Sequence, residues 1–167
     1  MDKMYPDTNR LRQHSFFYRV ISFSWLSKKL SVEIIALLFV ILFLYTGISK
    51  LMDFDVFREQ LDDSPIVGFA APLVAWGLPV TEFIVSLLLF IPRYRMWGLY
   101  AAFVLMILFT AYVGILLSIN TELPCSCGGI MEALSWPAHL IVNIALIGLS
   151  LTGSILAKKI KRNGGEL

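Results

Sequence analysis

Four stretches of this chain, 32–51, 72–91, 96–119 and 137–157, are continuously apolar and nearly free of charge. A helix of ~20 such residues crosses the hydrocarbon core of a bilayer. Strands are excluded on pattern. A spanning barrel needs about eight or more strands of alternating polarity, and these stretches do not alternate. In lipid each backbone N–H and C=O must be satisfied within its own segment, which leaves helices. The sequence therefore predicts an all-α integral membrane four-helix bundle. Its hydrophobic fraction, 57% of 167 residues, exceeds the ~45–50% usual for soluble domains. No polar stretch approaches the ~50 residues of a small soluble domain.

Three regions are expected. Residues 1–30 form a cytoplasmic or interfacial segment, 31–157 the four-helix domain, and 158–167 a basic cytoplasmic tail. Within the first, residues 15–30 mix Phe16, Phe17, Ile21, Phe23 and Trp25 with Arg19, Lys28 and Lys29. That segment is too short and too charged to span, and it predicts an amphipathic helix lying at the membrane interface. The first span is expected to stay uncleaved. Its apolar run is too long for a signal-peptide core, and Gly47-Ile48-Ser49-Lys50 offers no small-x-small site.

Charge sets the orientation. Lys3, Arg10, Arg12, Arg19, Lys28 and Lys29 precede the first span. The loop 52–71 has Arg58 against Asp53, Asp55, Glu59, Asp62 and Asp63. Arg93 and Arg95 make the second loop purely basic, and the third, 120–136, has Glu122 and Glu132 with no cation. Lys158, Lys159, Lys161 and Arg162 follow the last span. The positive-inside rule places both termini and the second loop in the cytoplasm, and the first and third loops outside. In a bacterial inner membrane that outside is the oxidising compartment. The net charge of +2 is small, and no nucleic-acid partner is expected; the expected surroundings are membrane lipid.

The two cysteines of the chain lie in the third loop, in Pro124-Cys125-Ser126-Cys127-Gly128-Gly129. Cysteines at i and i+2 can bond only where the backbone bends to bring their Cα atoms within roughly 4.4–6.8 Å. The flanking proline and glycines suit such a turn. So small a ring closes almost no loop, which removes the entropic rationale for a stabilising bond. A strained, exposed disulfide is instead labile and reactive. Two other readings stay open at this point. The pair with His139 could supply three ligands to zinc or copper(I), or the bond could be inert.

Three further side chains stand out. Glu82 lies near the middle of the second span, after Pro79, where a carboxyl is costly and is a functional-site hypothesis by default. It is expected to face protein, protonated or hydrogen-bonded to a Thr, Ser or Asn of a neighbour, and Glu82→Gln is expected to fold normally. Lys50 ends the first span, where it can snorkel to the outer interface or favour a nearby thiolate. His139 and Asn143 share one face of the fourth helix, with His139 in its first turns and thus close in depth to the cysteine loop. The spacings Gly98-x-x-x-Ala102, Thr110-x-x-x-Gly114 and Gly148-x-x-x-Thr152 permit close helix approach.

Together, the runs Leu44-Tyr45-Thr46-Gly47-Ile48-Ser49-Lys50-Leu51, Pro79-Val80-Thr81-Glu82, Cys125-Ser126-Cys127-Gly128-Gly129 and Ser135-Trp136 with His139-Leu140-Ile141-Val142-Asn143 resemble the MauE/DoxX group of membrane proteins over about residues 31–157. The resemblance implies a redox role beside a thioredoxin-like protein, in methylamine utilisation for MauE itself, and a fold similar to four-helix quinone-linked thiol oxidases. Where MauE tends to have an aromatic, this chain has Gly128-Gly129, which points to another branch. Those oxidases use Cys-x-x-Cys and a second relay pair, which this chain lacks.

The expected function is thiol–disulfide exchange with an exported thioredoxin-like partner through Cys125 and Cys127. The expected location is the bacterial inner membrane. His139 is the candidate proton acceptor and Glu82 a candidate for proton traffic, so the expected catalytic set is Cys125, Cys127, His139 and Glu82, with no resident metal. The electron acceptor is left as a bound quinone or another protein. The alternative is a non-catalytic membrane anchor or assembly subunit of a larger envelope complex.

Overall fold

The structure, a computed structural model, describes the backbone of residues 8–119 and 136–164 and the side chains of 28–119 and 138–164. Five α-helices follow in order: α1 (Thr8–Met52), α2 (Phe54–Asp62), α3 (Ala71–Phe90), α4 (Arg95–Ile119) and α5 (Trp136–Arg162), with a 3₁₀ turn Gly68–Ala70 before α3. Four are long and apolar enough to cross a membrane: Lys28–Met52 within α1, Gly68–Phe90, Arg95–Ile119 and Ala138–Arg162. These spans coincide with the four apolar stretches of the sequence.

The N-terminal segment differs from a separate surface helix in one respect. α1 runs unbroken for 45 residues, roughly 68 Å at 1.5 Å per residue, about twice the hydrocarbon thickness. Its first twenty residues are thus the continuation of the first span and extend it beyond the apolar layer.

The bundle is apolar on its outside as well as in its core. Its outward faces carry Ile34, Leu37 and Ile41 on α1, Leu73, Val80 and Ile84 on α3, and Ile141, Ile144 and Ile155 on α5. Its interior holds Ser86, Asn143, Ser150 and Ser154 alongside its apolar residues. A continuous exposed apolar surface of this kind is stable only against lipid, and small polar residues inside let helices approach and satisfy one another. Ser154 Oγ donates to the Ser150 carbonyl at 2.8 Å, and Ser150 Oγ to that of Ile147 at 2.9 Å. Around them Val32, Phe39, Leu89, Leu99 and Ile160 form the main apolar core.

Of the three small-residue spacings, only Gly98/Ala102 packs as such. A Cβ on Gly98 would lie 2.7 Å from the Leu89 backbone nitrogen, so α4 rests directly on the end of α3. Gly114 and Gly148 face open space, and Gly153 meets Ile35 and Leu99 instead. Spacing alone does not say which face of a helix meets a neighbour.

The loop 52–71 contains an element not anticipated from sequence. α2 is amphipathic, with Phe57 and Leu61 buried and Arg58, Glu59 and Asp62 on its exposed side. Phe54 packs on Trp76 of α3, ring centroids 4.8 Å apart, and Tyr112 of α4 donates from its hydroxyl to Ser64 Oγ at 3.1 Å. α2 is thereby fastened across one end of the bundle. At the opposite end Arg95 closes the α3–α4 turn. Its Nε donates to the Leu89 carbonyl at 3.3 Å, and its guanidinium lies 3.7 Å from Glu33 of α1.

Candidate functional site

α1 and α3 make the most extensive contact between helices, and Gly47 permits it. A Cβ there would lie 3.2 Å from the Phe83 ring and 3.3 Å from Glu82 Oε2. This close approach sets Lys50 of α1 against Glu82 of α3, with Nζ and Oε1 at 2.8 Å. Both residues are buried, at 5% and 6% exposure. Nζ also donates to the Thr46 carbonyl at 3.3 Å and lies 6.0 Å from the centre of the Phe57 ring.

Lys50 is therefore not an interfacial anchor, as its place at the end of the span suggested. The reason is the lean of helical side chains toward the helix N-terminus. At the C-terminal end of a span that lean carries the ammonium back along α1, over Thr46 and away from the near membrane surface. Glu82 is there to receive it, and opposite charges inside a membrane pair with one another. Glu82 faces protein as expected; its closest partner is this lysine, with the Thr46 side chain of α1 beside it. The signal was present in the sequence, since within the stretches 32–51 and 72–91 Lys50 is the one cation and Glu82 the one anion apart from Glu33 at the opposite end of the first.

The pair lines a cavity of about 410 Å³ to which all five helices contribute. Its walls are mainly apolar, among them Phe43, Leu78, Met106 and Leu146, and α2 supplies Phe57 and Leu61 at one end. The polar groups on it are few: Thr46, Lys50, Gln60, Glu82, Tyr112, His139 and Asn143. A mostly apolar cavity with a few convergent polar groups is the usual form of a ligand or active site.

α5 delivers His139 and Asn143 to this wall. Their spacing continues inward through half-buried Leu146 to buried Ser150, Ser154 and Ala157 on one face. His139 is 3% exposed and packs on Phe109 at 5.8 Å between ring centroids. Asn143 is 1% exposed. Among the described residues no hydrogen-bond partner meets Asn143 Nδ2 or Glu82 Oε2. The Thr46 hydroxyl donates to the Phe43 carbonyl at 3.4 Å.

So two of the four expected site residues, His139 and Glu82, share one cavity, and Lys50, Gln60, Tyr112 and the α2 helix join them. Cys125 and Cys127 lie outside the described residues, between the end of α4 and the start of α5.

The sequence pattern of the family described as methylamine utilisation protein MauE matches residues 28–156. The chain belongs to the MauE family. The matched region takes in the first three spans, most of the fourth, the Lys50–Glu82 pair, the cysteine loop and His139. This MauE-family chain is thus a multi-pass membrane protein. No curated protein and no solved structure matches it.

Proposed function

We propose that this MauE-family chain is an inner-membrane thiol–disulfide redox protein that exchanges electrons with an exported thioredoxin-like partner through Cys125 and Cys127. The observation that carries the proposal is the placement of His139. It lines the cavity from the first turns of α5, at the end of the bundle where the helices flanking the cysteine loop emerge. That end is acidic, with Asp53, Asp55, Glu59, Asp62 and Asp63, whereas the other carries Lys28, Lys29, Arg93, Arg95 and Lys158 to Arg162. By the positive-inside rule the basic end and both termini are cytoplasmic, and the cysteine loop faces the oxidising side.

In the exchange, a thiolate attacks a disulfide sulfur and forms a mixed disulfide between the two proteins. The second cysteine then attacks that bond and releases the partner. His139 accepts the proton a thiol gives up, and the Lys50–Glu82 pair below it is the route for protons into the bundle. The family name supports a setting like methylamine utilisation, in which an exported enzyme needs its disulfides made.

Replacing both Cys125 and Cys127 by serine tests the proposal. The double variant should assemble in the membrane yet leave the partner's disulfide state unchanged by its presence. If the variant retains full activity in cells, the chain acts as a membrane anchor or assembly subunit and the redox reading fails.

A further inference from the structure

Lys158, Lys159 and Arg162 lie on the exposed side of α5, and Ile144, Gly148, Leu151 and Ile155 are exposed on it farther in. Each of these residues follows another by three or four positions, so they share one helical face. The cations begin about 5 Å past Ile155 at 1.5 Å per residue, and their stems extend the charges farther toward the headgroups. Among the described residues none of the three meets an acid; at this end only Arg95 does, against Glu33 at 3.7 Å. A long apolar run that ends in unpaired cations has the complementary polarity of a lipid with an anionic head.

The apolar part of the face is shaped to take a chain. A Cβ on Gly148 would meet nothing within 4 Å, and the glycine stands between the bulkier Ile144 and Leu151, which leaves a notch. Beside it the Thr152 hydroxyl donates back to the Gly148 carbonyl at 2.7 Å, so the helix satisfies that polar group itself and makes no polar demand on the lipid.

We propose that this face of α5 holds one anionic phospholipid of the leaflet at the basic end, with an acyl chain on the Gly148 notch and the phosphate on Lys158, Lys159 and Arg162. Charge complementarity selects that occupant. Lys28, Lys29, Arg93 and Arg95 gather at the same end, so an anion there sits in a positive field, whereas a zwitterionic head brings a cation of its own. A second copy of the chain on this face would set like charges against one another. A free phosphate has no chain for the notch. The site is independent of the thiol chemistry at the other end of the bundle.

Native mass spectrometry of the full chain, released from detergent, reads the bound species. The probes are phosphatidylglycerol and phosphatidylcholine with identical acyl chains, and inorganic phosphate. One phosphatidylglycerol per chain should be retained at least about tenfold more tightly than phosphatidylcholine, the factor that ~1.4 kcal/mol provides. Lys158→Gln/Lys159→Gln/Arg162→Gln should bring phosphatidylglycerol down to the level of phosphatidylcholine. Lys28→Gln/Lys29→Gln/Arg93→Gln removes the same charge from the same end and should leave the preference in place. Gly148→Leu fills the notch and should weaken both lipids alike. Equal retention of the two lipids, or equal loss of preference in the two triple variants, would reduce the site to the diffuse charge of the basic end and overturn the proposal. Displacement of the lipid by inorganic phosphate would show a free-anion site, and a dimer that Gly148→Leu dissociates would show a second copy on this face; either result overturns it as well.

Discussion

Lys50 of α1 reaches Glu82 of α3 at 2.8 Å inside the bundle, both side chains shielded from solvent and lipid. In a membrane this pair replaces two prohibitive charges with one neutral unit. It also ties the first helical hairpin together beside the cavity. Removing one member is a different perturbation from removing both.

Glu82→Gln should destabilise the chain by about 3–5 kcal/mol, because it strands a buried ammonium. From sequence alone the same change is expected to be harmless. The double variant Lys50→Met/Glu82→Leu should recover most of that loss, since buried pairs replaced by apolar residues of similar volume are often neutral or better. Thermal or denaturant unfolding in detergent gives the double-mutant cycle. A Glu82→Gln protein as stable as the parent would show that the two side chains do not interact as an ion pair.

Gly98→Ala should cost about 1–3 kcal/mol, the usual penalty of overpacking. Its new methyl would press on the backbone of Leu89, which cannot swing aside. Gly148→Ala meets nothing and should fall within about 0.5 kcal/mol of the parent. The two melting temperatures, measured side by side, check both statements.

Phe57→Ala should loosen α2 from the end of the cavity, because Phe57 and Leu61 are the buried side chains that hold the helix down. Hydrogen exchange of 54–62 should rise while the four spans keep their protection. Unchanged exchange in that segment would mean that the Tyr112–Ser64 hydrogen bond and the Phe54–Trp76 contact suffice.

A reporter fused after Leu167 should be cytoplasmic, and one inserted near Asp62 external, from the distribution of lysine and arginine between the two ends of the bundle. The opposite result would place the cysteine loop in a reducing compartment and remove the basis for its redox role.

Cys125→Ser or Cys127→Ser should trap a mixed disulfide with an exported thioredoxin-like protein, because the resolving thiol is gone. Non-reducing gels after thiol alkylation show it as a band that a dithiol reductant collapses. Two thiols of ordinary reactivity and no trapped partner would favour the anchor role.

The spans were legible because membrane insertion depends on local quantities, length and apolarity, that each segment carries by itself. The inward face of α5 was half legible, since His139 and Asn143 share a helical face by spacing alone. α2 escaped notice because its nine residues lie in a charged loop. Its apolar positions, Phe54, Phe57 and Leu61, gain meaning only once Trp76 and the cavity end are beneath them. The sequence by itself thus determined the number of membrane spans, their order and, through its charges, which ends belong together. Only the tertiary structure decided that Lys50 turns inward to Glu82, that Gly98 packs while Gly148 does not, and that five helices enclose one cavity. Those outcomes depend on helix rotation and separation, which arise from how several surfaces fit at once and are written in no single segment.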